Sequence, residues 1–183
     1  MEDGLPPTPG PHRAWLIVLA GLPGVGKTTL ARAVARRSGA AHVRVDTIEQ
    51  AMVRSGVEDP GTAGYVVAYA IAADNLRLGL SVVSDSVNPV AASRRAWAAV
   101  GEQHAVGFRF VEVICSDEAE HRKRLQSRKP DIPGHRLPTW DAVRAMRYEP
   151  MEVAALLIDS ARMSVDEAVQ RILDEACNPE AQT

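Results

Sequence analysis

The chain has 183 residues, a formal net charge of −2 and 46% hydrophobic residues. That length suits one domain with a substantial core, and the composition excludes a wholly disordered chain. The near-neutral charge excludes a long electrostatic groove for nucleic acid, so no nucleic-acid partner is expected. Cys115 and Cys177 lack C-x-x-C spacing, which suggests neither a zinc ribbon nor a disulfide framework and suits reduced thiols in a cytoplasm.

In chain order, residues 1–13 come first as an acidic stretch with Pro6, Pro7, Pro9 and Pro11, and a disordered tail is expected there. No basic segment precedes the apolar run Trp15–Ala20, which is too short to span a bilayer, and no membrane association is expected. That run reads as a buried strand over 14–20. Gly21-Leu22-Pro23-Gly24-Val25-Gly26-Lys27-Thr28-Thr29 follows it and spells G-x-x-x-x-G-K-[ST], the phosphate-binding P-loop. The glycines permit positive φ, so successive N–H groups can form an anion nest at a helix N-terminus. Lys27 can then reach the β- and γ-phosphates, and the Thr28 hydroxyl can hold Mg²⁺. A plain glycine turn leaves the Lys-Thr pair unexplained.

Beyond the loop, apolar runs at 42–45, 81–84, 108–115 and 153–158 read as strands. Helical patterns fall at 28–38, 62–78, 90–104, 117–128 and 165–176. This alternation predicts a parallel sheet wrapped by helices on both faces. Asp117 and Ser164 read as N-caps, and Gly79 and Gly107 as helix exits. The domain is expected over 14–177, with a flexible tail over 178–183.

Residues 128–138 break the rhythm with Pro130, Pro133, Gly134 and Pro138 among Arg128, Lys129, His135 and Arg136. A solvated loop would look like this; beside a P-loop, so would a lid (about 122–139) that closes over phosphates. Arg122, Arg124 and Arg128 lead into it, and the four-residue spacing of Arg124 and Arg128 places them on one helix face. Either could stabilise charge on a transferring phosphoryl group.

Two aspartates end apolar strands where ligands collect in such sheets, Asp46 after 43–45 and Asp85 after 82–84. One carboxylate on the metal side and one that accepts a hydroxyl proton suit phosphoryl transfer to an alcohol. A helix cap is the bland reading of each. Arg94 or Arg95 could line an acceptor pocket, and Met52, Tyr65, Tyr69 and Trp140 could wall it, although core packing explains the aromatics equally well. Trp97 reads as core. His104, His121 and His135 have no spacing for a metal or a triad.

Together these residues resemble the nucleoside-monophosphate-kinase-like group of P-loop small-molecule kinases, of the chloramphenicol phosphotransferase, gluconate kinase, zeta-toxin and polynucleotide kinase type. The matching segments are Gly21–Thr29, 45–52, 82–88 with Arg94 and Trp97, Arg124 to Arg128, 148–150 and 158–164. The resemblance implies a three-layer αβα sandwich around a five-stranded parallel sheet of order 2-3-1-4-5. It also implies that Asp46 is the acceptor's general base, that Asp85 supports Mg²⁺, and that Arg124 and Arg128 belong to the lid. The proline-rich lid matches no particular member of the group, and residues 49–80 carry no substrate signature.

The expected function is an ATP- and Mg²⁺-dependent phosphotransferase acting on a hydroxyl of a small molecule such as an antibiotic, sugar or nucleoside. A nucleotide or polynucleotide 5′-kinase keeps the chemistry and changes the acceptor. A regulatory triphosphate-binding switch belongs to another class, and GTPase switches use an Asn-Lys-x-Asp run that this chain lacks. The acceptor, the ATP-over-GTP preference and the oligomeric state are not legible.

Overall fold

A computed structural model describes residues 14–104, 106–151 and 155–177. The tails expected over 1–13 and 178–183, and the start of the last strand at 153–154, lie outside the described residues. The chain runs β1 (Trp15–Ala20), α1 (Lys27–Ser38), β2 (Ala41–Arg44), α2 (Val45–Arg54), α3 (Ala63–Arg77) and β3 (Val82–Asp85). It continues through α4 (Ala91–Gln103), β4 (Gly107–Ile114), α5 (Glu118–Ser127), α6 (Trp140–Ala145), β5 (Ala155–Asp159) and α7 (Val165–Cys177). The strands form one parallel five-stranded sheet in the order β2-β3-β1-β4-β5.

Strand β1 is central because all six of its residues are apolar and buried. Side chains alternate along a strand, so Trp15, Ile17 and Leu19 enter one core and Leu16 and Val18 the other. The first core packs beneath α1 and α7 through Leu30, Val34, Val169 and Ile172. The second packs beneath α3 and α4 through Ala68, Ala72, Trp97 and Val100. Truncating Ile17, which is fully buried, to alanine would cost roughly 2–5 kcal/mol.

Helix α1 stops at Gly39, whose φ of 74° lets its amide reach the Ala35 carbonyl at 2.9 Å. Asp117 caps α5 by accepting from the Glu120 amide, and Ser164 caps α7 through the Glu167 amide, as expected. Gly79 has the expected positive φ of 78° after α3. Gly107 does not mark a helix exit: it is the first residue of β4, paired with Trp15, and α4 has already ended at Gln103.

Expected and observed boundaries of the shared elements differ by a residue or two, but α2 and α6 are additional. Val45, Thr47 and Ile48 are β-branched and extend an apolar strand in the sequence, yet β2 ends at Arg44 and the chain turns directly into α2. Asp46 is therefore not a strand-end residue but sits in the first turn of that helix. Arg128 lies just past α5 with an extended backbone, φ −65° and ψ 129°, so it does not share a helical face with Arg124.

Asn88 joins β3 to α4. It is fully buried with φ 49°, a left-handed conformation that asparagine tolerates better than most residues. Its Nδ2 donates to the Leu19 carbonyl at 2.8 Å and its Oδ1 accepts from Trp97 Nε1 at 3.1 Å. Arg94 is not available to line an acceptor pocket. It is 3% exposed and its guanidinium donates to the carbonyls of Asn88, Pro89, Glu149 and Pro150.

Candidate active site

The P-loop leaves the C-terminal end of β1, where the parallel sheet gathers its strand ends. Gly21, Gly24 and Gly26 have φ of 137°, 88° and 106°, which L side chains rarely adopt. The loop is also packed from outside. A Cβ at residue 24 would meet Leu125 Cδ1 at 3.0 Å and the His121 ring at 3.3 Å. His121 is 6% exposed, its Nε2 lies 2.8 Å from the Pro23 carbonyl, and Trp140 packs edge-on against its ring. His121 thus braces the loop, and Trp140 supports that brace instead of walling an acceptor pocket. No local spacing marks this role, because α5 reaches the loop only through the fold.

Lys27 begins α1, is 8% exposed, and donates from Nζ to the Leu22 carbonyl at 2.9 Å. Burial lowers its pKa to about 8, with Asp85 and Asp46 opposing that shift and Arg128 and Arg44 adding to it. Those causes describe the site: two carboxylates and two guanidiniums act on one buried ammonium.

Asp85 ends β3 as expected and is 3% exposed. Burial pushes its carboxyl up, but His42, Lys27 and Thr28 outweigh that and hold it below the usual carboxylate range. His42 Nε2 lies 3.4 Å from Asp85 Oδ2. A hydroxyl beside a buried, ionised carboxylate is the oxygen donor pair that Mg²⁺ takes alongside phosphate oxygens. Among the described residues no cluster of three His, Cys, Asp or Glu could hold a metal on protein ligands alone.

Arg44 was not singled out in the sequence. It is 5% exposed at the end of β2; its Nη1 donates to Asp131 Oδ2 at 2.7 Å and its Nη2 to Asp46 Oδ2 at 3.3 Å. The Arg44 and Arg32 guanidiniums hold the Asp131 carboxyl far below its ordinary range. A cavity of about 680 Å³ opens beside the loop, lined by Gly26, Lys27, Thr28, Arg124, Arg128 and Ser160 among others. Arg124 and Arg128 therefore meet the P-loop across one cavity. Arg124 donates to Ser160 Oγ at 3.0 Å and to Glu120 Oε1 at 2.8 Å. Arg122 instead lines a separate surface depression with Glu118 and Lys123.

Of the aromatics, Tyr69 packs edge-on against Trp97 and donates to the Ser93 carbonyl at 3.2 Å, which places it in the core. The Tyr65 hydroxyl accepts from the Asn88 amide at 3.3 Å, beyond the end of β3.

A family model described as an AAA domain matches residues 16–150. The chain belongs to that family. No curated protein sequence matches it. Solved structures that resemble this AAA domain include the Mycobacterium tuberculosis APS kinase CysC in complex with AMPPNP and APS. That pair has a TM-score of 0.67 and 17% identity, covering 90% of this chain and 98% of the other. A sugar kinase from a Janibacter species gives a TM-score of 0.66 at 19% identity, with 92% and 97% of the two chains covered. Kti12 of Chaetomium thermophilum, in complex with ADP-AlF₃, gives 0.65 at 19% identity, with 88% and 98% covered. At such identities the likeness establishes the fold, which is the α/β P-loop kinase fold with the strand order seen here. No helix among the described residues is long and apolar enough to cross a membrane.

Proposed function

We propose that this AAA domain is an ATP- and Mg²⁺-dependent phosphotransferase that moves the γ-phosphoryl group of ATP to a hydroxyl of a small molecule. One observation carries the reading. Asp46, whose side chain is 33% exposed, pairs with Arg44 and acts on buried Lys27, while Asp85, which also acts on Lys27, is buried beside Thr28. One carboxylate reachable by an acceptor and one buried beside a hydroxyl divide the two tasks of the reaction.

In this reading the glycine-loop amides and Lys27 hold the triphosphate, Lys27 leaving the Leu22 carbonyl for the phosphate oxygens. Thr28 and Asp85 would hold Mg²⁺, which neutralises charge on the β- and γ-phosphates. Asp46 accepts the hydroxyl proton as the acceptor oxygen bonds to the γ-phosphorus. The bond from that phosphorus to the β,γ-bridging oxygen breaks, and its electron pair leaves with ADP. Arg124 and Arg128, across the cavity, stabilise charge on the transferring group. Positioning and electrostatics supply most of the rate. The cytoplasm, with its triphosphate pool, is the proposed compartment.

The test is incubation with Mg²⁺ and ATP labelled at the γ-phosphate, against hydroxylated antibiotics, sugars, nucleosides and 5′-hydroxyl oligonucleotides. Label on a small alcohol is the expected result. Transfer to oligonucleotides with steep salt dependence would replace it with a polynucleotide kinase. Label on none of them, with slow hydrolysis that a protein partner alters, would replace it with a switch.

A further inference from the structure

The proposed mechanism makes no use of Arg44, yet its guanidinium reaches three carboxylates, Asp46, Asp85 and Asp131. Its fork divides between two parts of the chain. Nη1 lies 2.7 Å from Asp131 Oδ2 and Nη2 lies 3.3 Å from Asp131 Oδ1, so one carboxylate of the lid segment takes both arms. Nη2 also donates to Asp46 Oδ2 at 3.3 Å. Nε lies 3.7 Å from Asp85 Oδ2 and is buried with no hydrogen-bond partner. The side chain is only 4% exposed, so it has little room to choose other partners. The lid is pinned at the same point from one more direction, by Arg32 of α1 at 2.5 Å from the Asp131 carboxylate, while Arg128, within the same segment, lies 3.6 Å from it. The next residue, Ile132, is 6% exposed.

We infer that Arg44 is a positioning residue that makes the seating of the lid and the orientation of Asp46 one event. A planar guanidinium cannot turn one arm toward Asp131 without setting the direction of the arm that holds Asp46. When Asp131 leaves, Arg44 loses the carboxylate that takes both arms of its fork, and the direction of the arm that holds Asp46 is no longer set. The lid would thus report its own closure, through Arg44, to the carboxylate that takes the proton. This inference rests on the proposed role of Asp46. An ion pair that merely glues the lid to β2 would hold the lid equally well but leave turnover to Asp46 alone.

The test uses the full chain as Asp131→Asn, Arg44→Lys, Arg44→Met and the Asp131→Asn/Arg44→Met double variant. Asp131 faces solvent, so its amide variant keeps the fold where a hole at Arg44 could disturb it. Two readouts need no acceptor. Trypsin cleavage after Arg136, an exposed lid residue, should quicken by about tenfold in each variant. Slow MgATP hydrolysis should lose about tenfold in kcat with KM for ATP held within about twofold. Arg44→Lys should not rescue kcat, since an ammonium keeps the charge but not the fork. The double variant should be no slower than the worse single variant, because both break one linkage. Parental kcat in Asp131→Asn, rescue by lysine, or a double variant at the product of the two single losses would each overturn the inference. Asp46→Asn separates the two readings. If Asp46→Asn is inactive and Asp131→Asn is parental, only the linkage falls. If Asp46→Asn hydrolyses ATP as the parent does, the base assignment falls and takes the linkage to it along.

Discussion

The carbonyl oxygen of Val113 occupies the position that a side chain at Gly21 would need. A Cβ built on Gly21 lies 2.2 Å from it, at a φ of 137°. The P-loop thus starts pressed against the neighbouring strand β4, and backbone atoms cannot yield as the tip of a flexible side chain would. Gly21→Ala should lose about 2–5 kcal/mol, combining left-handed strain with overpacking. Urea unfolding measures this; a parental midpoint would mean the loop relaxes freely.

The division of labour between Asp46 and Lys27 predicts different kinetic signatures. Asp46→Asn should keep ATP affinity within about twofold and lose on the order of 10²–10⁴ in transfer. Lys27→Ala should weaken triphosphate binding and turnover together. Titration with a fluorescent ATP analogue beside the labelled-transfer assay distinguishes them, and parental turnover in Asp46→Asn would remove its role.

Burial sets Lys27 at about 8, so the ammonium is partly deprotonated above that pH in the free protein. A bound polyphosphate favours the charged form and raises that pKa. Binding at about pH 9 should therefore take up a proton and weaken as pH rises through about 8, whereas binding at about pH 6.5 should take up none from Lys27. Calorimetry in two buffers of different ionisation enthalpy reads this directly. Equal heats at about pH 9 would contradict it.

Glu49 titrates in the opposite sense. Burial, then Asp46 and Asp59, pushes its carboxyl up from 4.5 to about 7. The folded chain keeps a proton that the unfolded chain has released, so its contribution to stability falls as pH rises from about 4.5 to 7 and stays lost above. Glu49→Gln should gain about 1–2 kcal/mol at pH 8, discounted because the group is only half buried, and almost nothing at about pH 4. Denaturation at both pH values tests it, and an equal gain at both would point to packing instead.

Arg94 is a staple rather than an acceptor contact, so Arg94→Lys should cost about 3 kcal/mol by leaving buried carbonyls without donors. It should do so without changing substrate preference in whatever folded fraction survives. Thermal unfolding checks the first expectation and an acceptor panel the second.

The sheet was readable because β1 is apolar on both faces, and a strand buried twice has no polar alternation to confuse it. The P-loop was readable because its chemistry is contiguous. The start of α2 was not, since Val45, Thr47 and Ile48 look like a strand until Asp46 and the helix geometry are seen together. Arg44 and Asp131 lie 87 residues apart, and nothing local marks either as a partner of the other. His121 has no metal or triad spacing, and its task, bracing the Pro23 carbonyl, is a tertiary contact that no local pattern marks. Lone residues acquired meaning only when the fold brought distant segments together.

Gly26 stands at the N-cap of α1 and has no side chain with which to accept from the helix amides. Those amides must be satisfied by something other than a cap encoded in the chain. If that partner is a nucleotide, it completes a secondary-structure element as well as reacting. The melting temperature would then rise with ligand concentration, tracking RT ln(1 + [L]/Kd). A thermal shift would thereby rank triphosphates by affinity before any acceptor is known.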